Sequence, residues 1–287
     1  MLQRDAFIEE ITKCLDKDKS IFFLSADFGA QALDELRKRF PSNFLHCGIS
    51  EQAMLDVAAG LALEGNKVFV YAMAPFLALR SLEQTKCGAG LMNLPICLLS
   101  VGVGLGYADA GPTHYTTEDF ACFRSIVGSS IYTPADTLST KLIAKELLER
   151  PKFSYIRLDR DSLPNISPEI TNVDLNRGFK VFGNINHDKI ALISHGRMLH
   201  KCLEIYNNKS NKFVCVDILR SKPFPKDLPK KISSCVFEGF SEQSYFPKII
   251  SKSLPESYVF ENGGREYLLN KFGLSNDDII QASKKII

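Results

Sequence analysis

The stretch HCGISEQAM (residues 46–54) places a carboxylate, Glu51, at the entrance to the apolar run AMLDVAAGLAL. A glutamate there has two readings. It can sit in the first turn of a helix whose dipole favours negative charge, with Ser50 capping the orphan N–H groups. It can also be a carboxylate kept in a dry pocket for acid/base work. A second unusual stretch is VGVGLGYADAGPTHY (101–115), where glycines 102, 104, 106 and 111 precede Pro112, Thr113 and His114. Glycines at that density let main chain approach a ligand closely. A histidine in such a loop is either structural or a proton carrier. Glu51 with His114 is the acid/base pair these residue types can assemble. Tyr107 stands where a GxGxxG fingerprint needs its third glycine, and no P-loop, GxSxG elbow or HExxH pair is present. His46 reads equally as a strand-end residue, and His187, His195 and His200 as structural ones.

These residues need elements to hold them. Short β-rich runs alternate with amphipathic segments of helix length: SIFFLSAD, then QALDELRKRF; NFLH, then EQAMLDVAAGLALEG; KVFVYAM, then a helix from about Phe76 to Leu91. PICLLSV is apolar throughout, which suits a sheet covered on both faces. Further along come a helix near 117–125, the strand SSIYT, the helix 136–150 and the strand FSYIRL. This rhythm predicts an α/β fold, with two doubly wound domains and mostly parallel sheets. Ligands in such sheets gather at the carboxyl ends of strands, where SADFG, HCGISE and the glycine-rich loop all fall. From Asp161 to His187 prolines, asparagines and turns break the rhythm. The expected division is a first domain over 1–165, a linker over 166–187 and a second α/β domain over 188–287. That second domain is read as KIALIS, a helix, KFVCVDI, SCVFEG, SYVFE and two terminal helices.

The 287 residues suffice for two domains and a sizeable core. Lys plus Arg is 35 against 33 Asp plus Glu, and the net charge of +2 carries no polycationic footprint, so no nucleic-acid role is expected. No run approaches the ~18 apolar residues of a membrane span, and the N-terminus lacks the apolar stretch of a signal peptide. Eight cysteines without a CxxC pair, most inside apolar segments, read as free thiols of a cytoplasmic protein.

Taken together, these stretches resemble the C-terminal half of a transketolase. The resemblance is carried by SAD (25–27), HCGISEQAM, GLALEG (60–65), PFLALRSLEQ (75–84), AGPTH (110–114), RSI and TPAD (124–126, 133–136) and YIRLDR (155–160), in order across residues 1–165. KIALISHGRMLHKCLE and VDILRSKPFPKDL echo the family's C-terminal domain. The first domain is thereby identified as a thiamine-diphosphate-binding pyrimidine domain, and the second as a transketolase C-terminal-like domain. The resemblance implies transfer of a two-carbon ketol unit between sugars. In the family a glutamate bonds N1′ of the cofactor's aminopyrimidine and favours its imino tautomer, and Glu51 stands at that position. Phe76 matches the ring that packs on the pyrimidine, with Arg80 and Asp27 as further cofactor-binding residues. His114 matches the histidine facing the reacting carbons, and Arg160 the arginine at the far end of a sugar phosphate. Arg4, Asp109 and Gln31 are the remaining candidate substrate contacts.

Full transketolases also carry a GDG…N motif that holds magnesium and the diphosphate, and this sequence has no GDG. The resemblance therefore implies an N-terminal transketolase partner that carries GDG…N, an α₂β₂ heterotetramer with the active site between chains, and no metal ligand of this chain's own. Three positions depart from the family pattern. Ala110 stands where Asp precedes GPTH, Gly102 where a phosphate-binding histidine is usual, and Gln31 near a usual serine. They point to a modified sugar, nucleotide-linked or branched, in place of a pentose phosphate. Two rivals are the beta-type chain of a 2-oxoacid dehydrogenase, which carries an HSQ-like signature in place of GPTH, and a 1-deoxyxylulose-5-phosphate synthase-like chain. A third, a noncatalytic assembly partner, would have no reason to retain Glu51, Phe76 and His114 together.

Overall fold

The computed structural model describes residues 1–26, 31–166, 168–185, 189–225, 228, 250–254, 259–261 and 263–285. The first sheet has seven strands: β1 (Ile21–Ser25), β2 (Phe44–His46), β3 (Lys67–Met73), β4 (Ile96–Val101), β5 (Ser130–Tyr132), β6 (Ser154–Leu158) and β10 (Arg220–Lys222). Their order is β10-β5-β6-β4-β3-β1-β2. Every pairing is parallel except β10 against β5. The second sheet comprises β7 (Phe179–Phe182), β8 (Ile190–Ser194) and β9 (Phe213–Ile218) in the order β7-β9-β8, with β8 parallel and β7 antiparallel to β9. β10 is thus the antiparallel edge of the first sheet, reached directly from the second sheet's central strand.

Strand parity decides which side chains face which layer. On β3, Phe69 and Tyr71 point into a core completed by helices α1 (Gln3–Leu15), α2 (Ala32–Arg39) and α5 (Thr137–Glu149). Val68, Val70 and Ala72 point into the opposite core, formed with α3 (Glu51–Leu63), the segment 76–91 and α4 (Asp119–Ser125). All six residues of β4 are buried, as its unbroken apolar run requires. The first sheet is therefore covered on both faces. The second sheet packs on α7 (Met198–Asn208), and the terminal helices α8 (Gly264–Lys271) and α9 (Asn276–Ser283) close that end. Among the described residues no helix is long and apolar enough to cross a membrane.

Local chemistry departs from the sequence expectation in several places. The segment expected as a linker contains α6 (Asn172–Arg177), capped by Thr171, and the edge strand β7. Polar capping residues and Gly178 at φ 84° gave it a loop's composition, yet they are the stop and start signals of a short helix. The expected single helix 76–91 is interrupted: two π-helical stretches, Phe76–Arg80 and Thr85–Leu91, flank one α-turn. Ser81 Oγ donates to Leu77 O at 2.9 Å at the join, a side-chain competitor for the helical ladder. The expected strand SCVFEG lies outside the described residues, as do the first two residues of the expected strand SYVFE, whose remaining Val259, Phe260 and Glu261 form no strand.

The seven described cysteines are free, as expected, with Cys14, Cys47 and Cys122 half-buried. Cys97, Cys202 and Cys215 are buried, and burial pushes the Cys97 thiol up to about 12, which leaves it unreactive. Cys87 is exposed instead.

Candidate active site

Four carboxyl ends of parallel strands supply the candidate residues. β2 leads through Gly48 to Glu51; β3 leads to Phe76 and Arg80; β4 leads into the glycine-rich loop; β6 leads to Arg160. Glu51 opens α3 and is 2% exposed. The expected side-chain cap at Ser50 is not made. The chain instead enters the helix through a tight turn, with Gly48 at φ 69° and Ser50 N donating to Gly48 O at 2.8 Å. The dipole argument accounts for a negative charge at this position, but not for its burial. Arg80 does, since its Nη1 donates to Glu51 Oε2 at 2.5 Å. One oxygen bonded to one guanidinium N–H leaves a carboxylate further acceptor capacity.

From that pair a continuous line of contacts runs across the strand ends. The Arg80 guanidinium lies over the Phe76 ring at 4.4 Å. The Phe76 ring meets His114 edge-on, centroids 5.4 Å apart, and His114 meets Tyr107 at 6.2 Å. Arg160 stacks over the Tyr107 ring at 4.7 Å and donates to Asp109 Oδ1 at 2.6 Å. That hydrogen bond holds the Asp109 carboxyl below the usual carboxylate range. His114 Nδ1 lies 3.0 Å from Thr113 Oγ1. Glu51, Arg80, Phe76, His114, Arg160 and Asp109 thus share one surface, a carboxylate at one end and an arginine at the other.

The loop that carries His114 is held in shape by its main chain. Gly104 and Thr116 exchange two hydrogen bonds of 2.9 Å, closing the loop at its neck. Gly102 has φ 82°, and a Cβ there would lie 2.0 Å from the Tyr107 ring. The aromatic side chain therefore occupies the room that a side chain at 102 would need. The positive φ and the neighbouring ring together favour glycine at position 102. Tyr107 is the site residue that sequence reading missed. Its one signal was negative, an aromatic residue in the third-glycine place.

The other candidates fall differently. Arg4, in the first turn of α1, donates to Asp5 at 2.9 Å and to the Tyr71 hydroxyl at 3.4 Å, contacts outside the line running from Glu51 to Asp109. Gln31 is exposed at the start of α2 and makes no side-chain cap. Asp27 lies outside the described residues, as does His187. His200 contacts Ala135 O at 2.7 Å, a structural contact. His195 packs edge-on against Phe120 at 5.0 Å, and burial together with Arg157 lowers it to about 3, so it is neutral.

Residues 1–165 match the transketolase pyrimidine-binding domain family. The chain belongs to that family. One component of the apulose-4-phosphate transketolase of Phocaeicola vulgatus is 34% identical over 164 residues, covering 57% of this chain and 53% of that protein. The 6-deoxy-6-sulfo-D-fructose transketolase subunit SqwH of a Clostridium species is 22% identical over 306 residues, covering 99% and 94%. This transketolase-family chain spans about half the length of several curated relatives it matches. In three dimensions it superposes on a chain of a split-gene transketolase, described as an inactive beta4 tetramer, with a TM-score of 0.84 at 24% identity, over 100% of this chain and 98% of that one. The α/β architecture is thus that of the C-terminal half of a transketolase.

The residues fit the cofactor of that family. A buried carboxylate with spare acceptor capacity stands beside a half-buried phenyl ring, which is the donor and packing set an aminopyrimidine needs.

Proposed function

We propose that the chain is the C-terminal subunit of a thiamine diphosphate-dependent transketolase, which transfers a two-carbon ketol unit between sugars once a partner chain completes the site. The observation that carries this reading is the buried Glu51, fixed by Arg80 and followed on the same surface by Phe76 and His114. Thiamine diphosphate, when bound, supplies the carbon nucleophile that takes up the ketol unit.

Everything else is this chain's own chemistry. Glu51 holds a proton at the N1′ atom of the pyrimidine. Burial keeps that carboxylate from water, and Arg80 fixes its orientation. Phe76 packs on the pyrimidine ring, with Asp27 as a further cofactor contact. His114 holds or relays a proton at the substrate oxygen as negative charge develops there. Arg160 and Asp109 meet the far end of the sugar, with Arg4 and Gln31 as outer contacts. Magnesium and the diphosphate belong to a partner's GDG…N motif, which makes an α₂β₂ assembly the natural form.

A modified sugar, nucleotide-linked or branched, fits this site better than a pentose phosphate. Tyr107 fills the room at position 102, and Arg160 already shares its charge with Asp109. The names of two relatives, on apulose 4-phosphate and a sulfo-fructose, support an uncommon sugar.

The partner requirement is tested by titrating thiamine diphosphate and magnesium into the chain alone and into the reconstituted pair. Calorimetry is expected to register tight binding only with the pair. Tight binding and ketol transfer by the chain alone would contradict the shared site.

A further inference from the structure

The back of the glycine-rich loop faces a cavity of about 250 Å³ between the first sheet and the terminal helices. It is separate from the surface that holds Glu51, His114 and Arg160. One wall is Val103, Gly104 and Leu105 of the loop; the others come from β6, from the start of α7 and from α8. Four cations line it, Arg157, Arg197, Arg265 and Lys252, against one carboxylate, Asp159.

Each of these four cations has a carboxylate beside it. Asp119 holds Arg157 at 2.7 Å, and Asp159 accepts from Arg265 at 2.8 Å and from Arg197 at 3.3 Å. Asp161 reaches both Arg197 and Arg265, and Lys252 faces Asp278.

What remains unmatched is a single N–H group of Arg265. The Arg265 side chain is 9% exposed, and its Nη2 has no hydrogen-bond partner among the described residues. A buried guanidinium N–H without an acceptor is costly, so native proteins rarely leave one. Two helices also begin at this cavity, α7 at Arg197 and α8 just before Arg265, and neither start is capped by a side chain. At α7 the Leu199 and His200 N–H groups already donate to Gly196 O and Arg197 O at 3.1 Å, so what that start offers an anion is its positive dipole end. Leu105, Met198, Leu254, Leu269 and Leu274 make the apolar part of the lining, beside the polar Thr133, His195 and Ser253.

We propose that this cavity is a second ligand site, taking a small organic anion whose phosphate or carboxylate head meets Arg265 and the start of α7 while a short apolar body lies on the leucines. The size limits the ligand. The cavity holds on the order of eight water volumes at ~30 Å³ each, and it falls just below the ~300–1,000 Å³ of drug-sized sites. Its occupant touches residues 103–105, so it bears on the same loop that presents His114 from the other side. The site depends on none of the catalytic assignments.

Phenyl phosphate, an anionic head on a short apolar body, is the probe. Calorimetry on the full chain, in buffer of matched ionic strength, is expected to show one phenyl phosphate per chain, bound at least tenfold more tightly than inorganic phosphate. Arg265→Lys keeps the charge but loses the planar fork, and is expected to weaken binding at least tenfold. Met198→Phe narrows the cavity without touching the ion pairs and is expected to weaken it similarly, which keeps the test sound should Arg265→Lys fail to fold. Arg160→Gln is expected to bind as the wild type does. Absence of binding by the wild type, or undiminished binding by both cavity variants, would overturn the proposal. Loss of binding in Arg160→Gln would also overturn it, by placing the anion on the catalytic face.

Discussion

At the scale of single residues, Glu51 and Tyr107 show two ways a side chain can be forced by its surroundings. A carboxylate 2% exposed is tolerable when a guanidinium meets it at 2.5 Å, and the pair leaves the carboxylate further acceptor capacity. Arg80→Met removes that partner. It is expected to reduce turnover of the reconstituted pair by about tenfold or more while circular dichroism stays native, because Glu51 loses its orientation before the fold is affected. Tyr107 is forced by space. Gly102→Ala puts a methyl at 2.0 Å from its ring in a backbone region that costs non-glycine residues ~1–2 kcal/mol. Urea unfolding is expected to show Gly102→Ala destabilised by more than that, and the further change Tyr107→Ala to recover the part due to collision. Additive losses in the double variant would mean the ring is not what keeps position 102 a glycine. Glu51 and His114 were legible in the sequence because their chemical types stand out at strand ends. The Arg80 partner lies 29 residues from Glu51 and the Tyr107 contact depends on loop closure, so neither leaves a periodic trace.

At the scale of elements, β9 carries an unusual burden. Asp217 lies at its heart, wholly buried, with both carboxylate oxygens unpartnered among the described residues. Desolvation first, then Asp136, Asp174 and Cys202, raise this carboxyl well above its usual range, and Lys180 opposes them only in part. The folded state therefore binds this proton more tightly than the unfolded one. The associated stability is fully present below the unfolded pKa of ~3.9 and is lost as pH rises from there through the raised folded value. Asp217→Asn is expected to unfold at a higher temperature than the wild type at pH 8 and at nearly the same temperature at pH 4. An equal gain at both pH values would show that Asp217 is not the titrating group. The strands themselves were well marked, since apolar runs such as ICLLSV have few alternatives. The breaks in the segment 76–91 were not marked, because a π-helical stretch arises from Ser81 and its neighbours in three dimensions and not from hydrophobic periodicity.

At the scale of the molecule, the two sheets are joined by polar ties as well as by packing. Asp159 ends β6, accepts from Arg197 and Arg265 of the second sheet's helices, and donates its N–H to Gln3 of α1 at 2.7 Å. Asp159→Ala removes the buried carboxylate between Arg265 and Arg197 and leaves them only the half-exposed Asp161, so the loss is expected to stay below the ~3–5 kcal/mol of a fully broken buried pair. Hydrogen exchange is expected to rise first in α8 and at residues 103–105, before β3 and β4 respond; uniform exchange across both sheets would contradict a local tie. The alternation of strands and helices revealed both sheets, yet no sequence pattern reports how Asp159 bridges them, since its partners lie 38 and 106 residues away.

We propose that this chain brings the cofactor-activating half of a shared transketolase site, with Glu51 as its acid. The direct measurement is ketol transfer by the reconstituted pair at saturating thiamine diphosphate and magnesium, wild type against Glu51→Ala, with assembly followed by size-exclusion chromatography. General acid–base groups contribute ~10²–10⁴-fold, so turnover is expected to fall by at least a hundredfold while the assembly elutes unchanged. Undiminished turnover by an intact Glu51→Ala assembly would contradict the account.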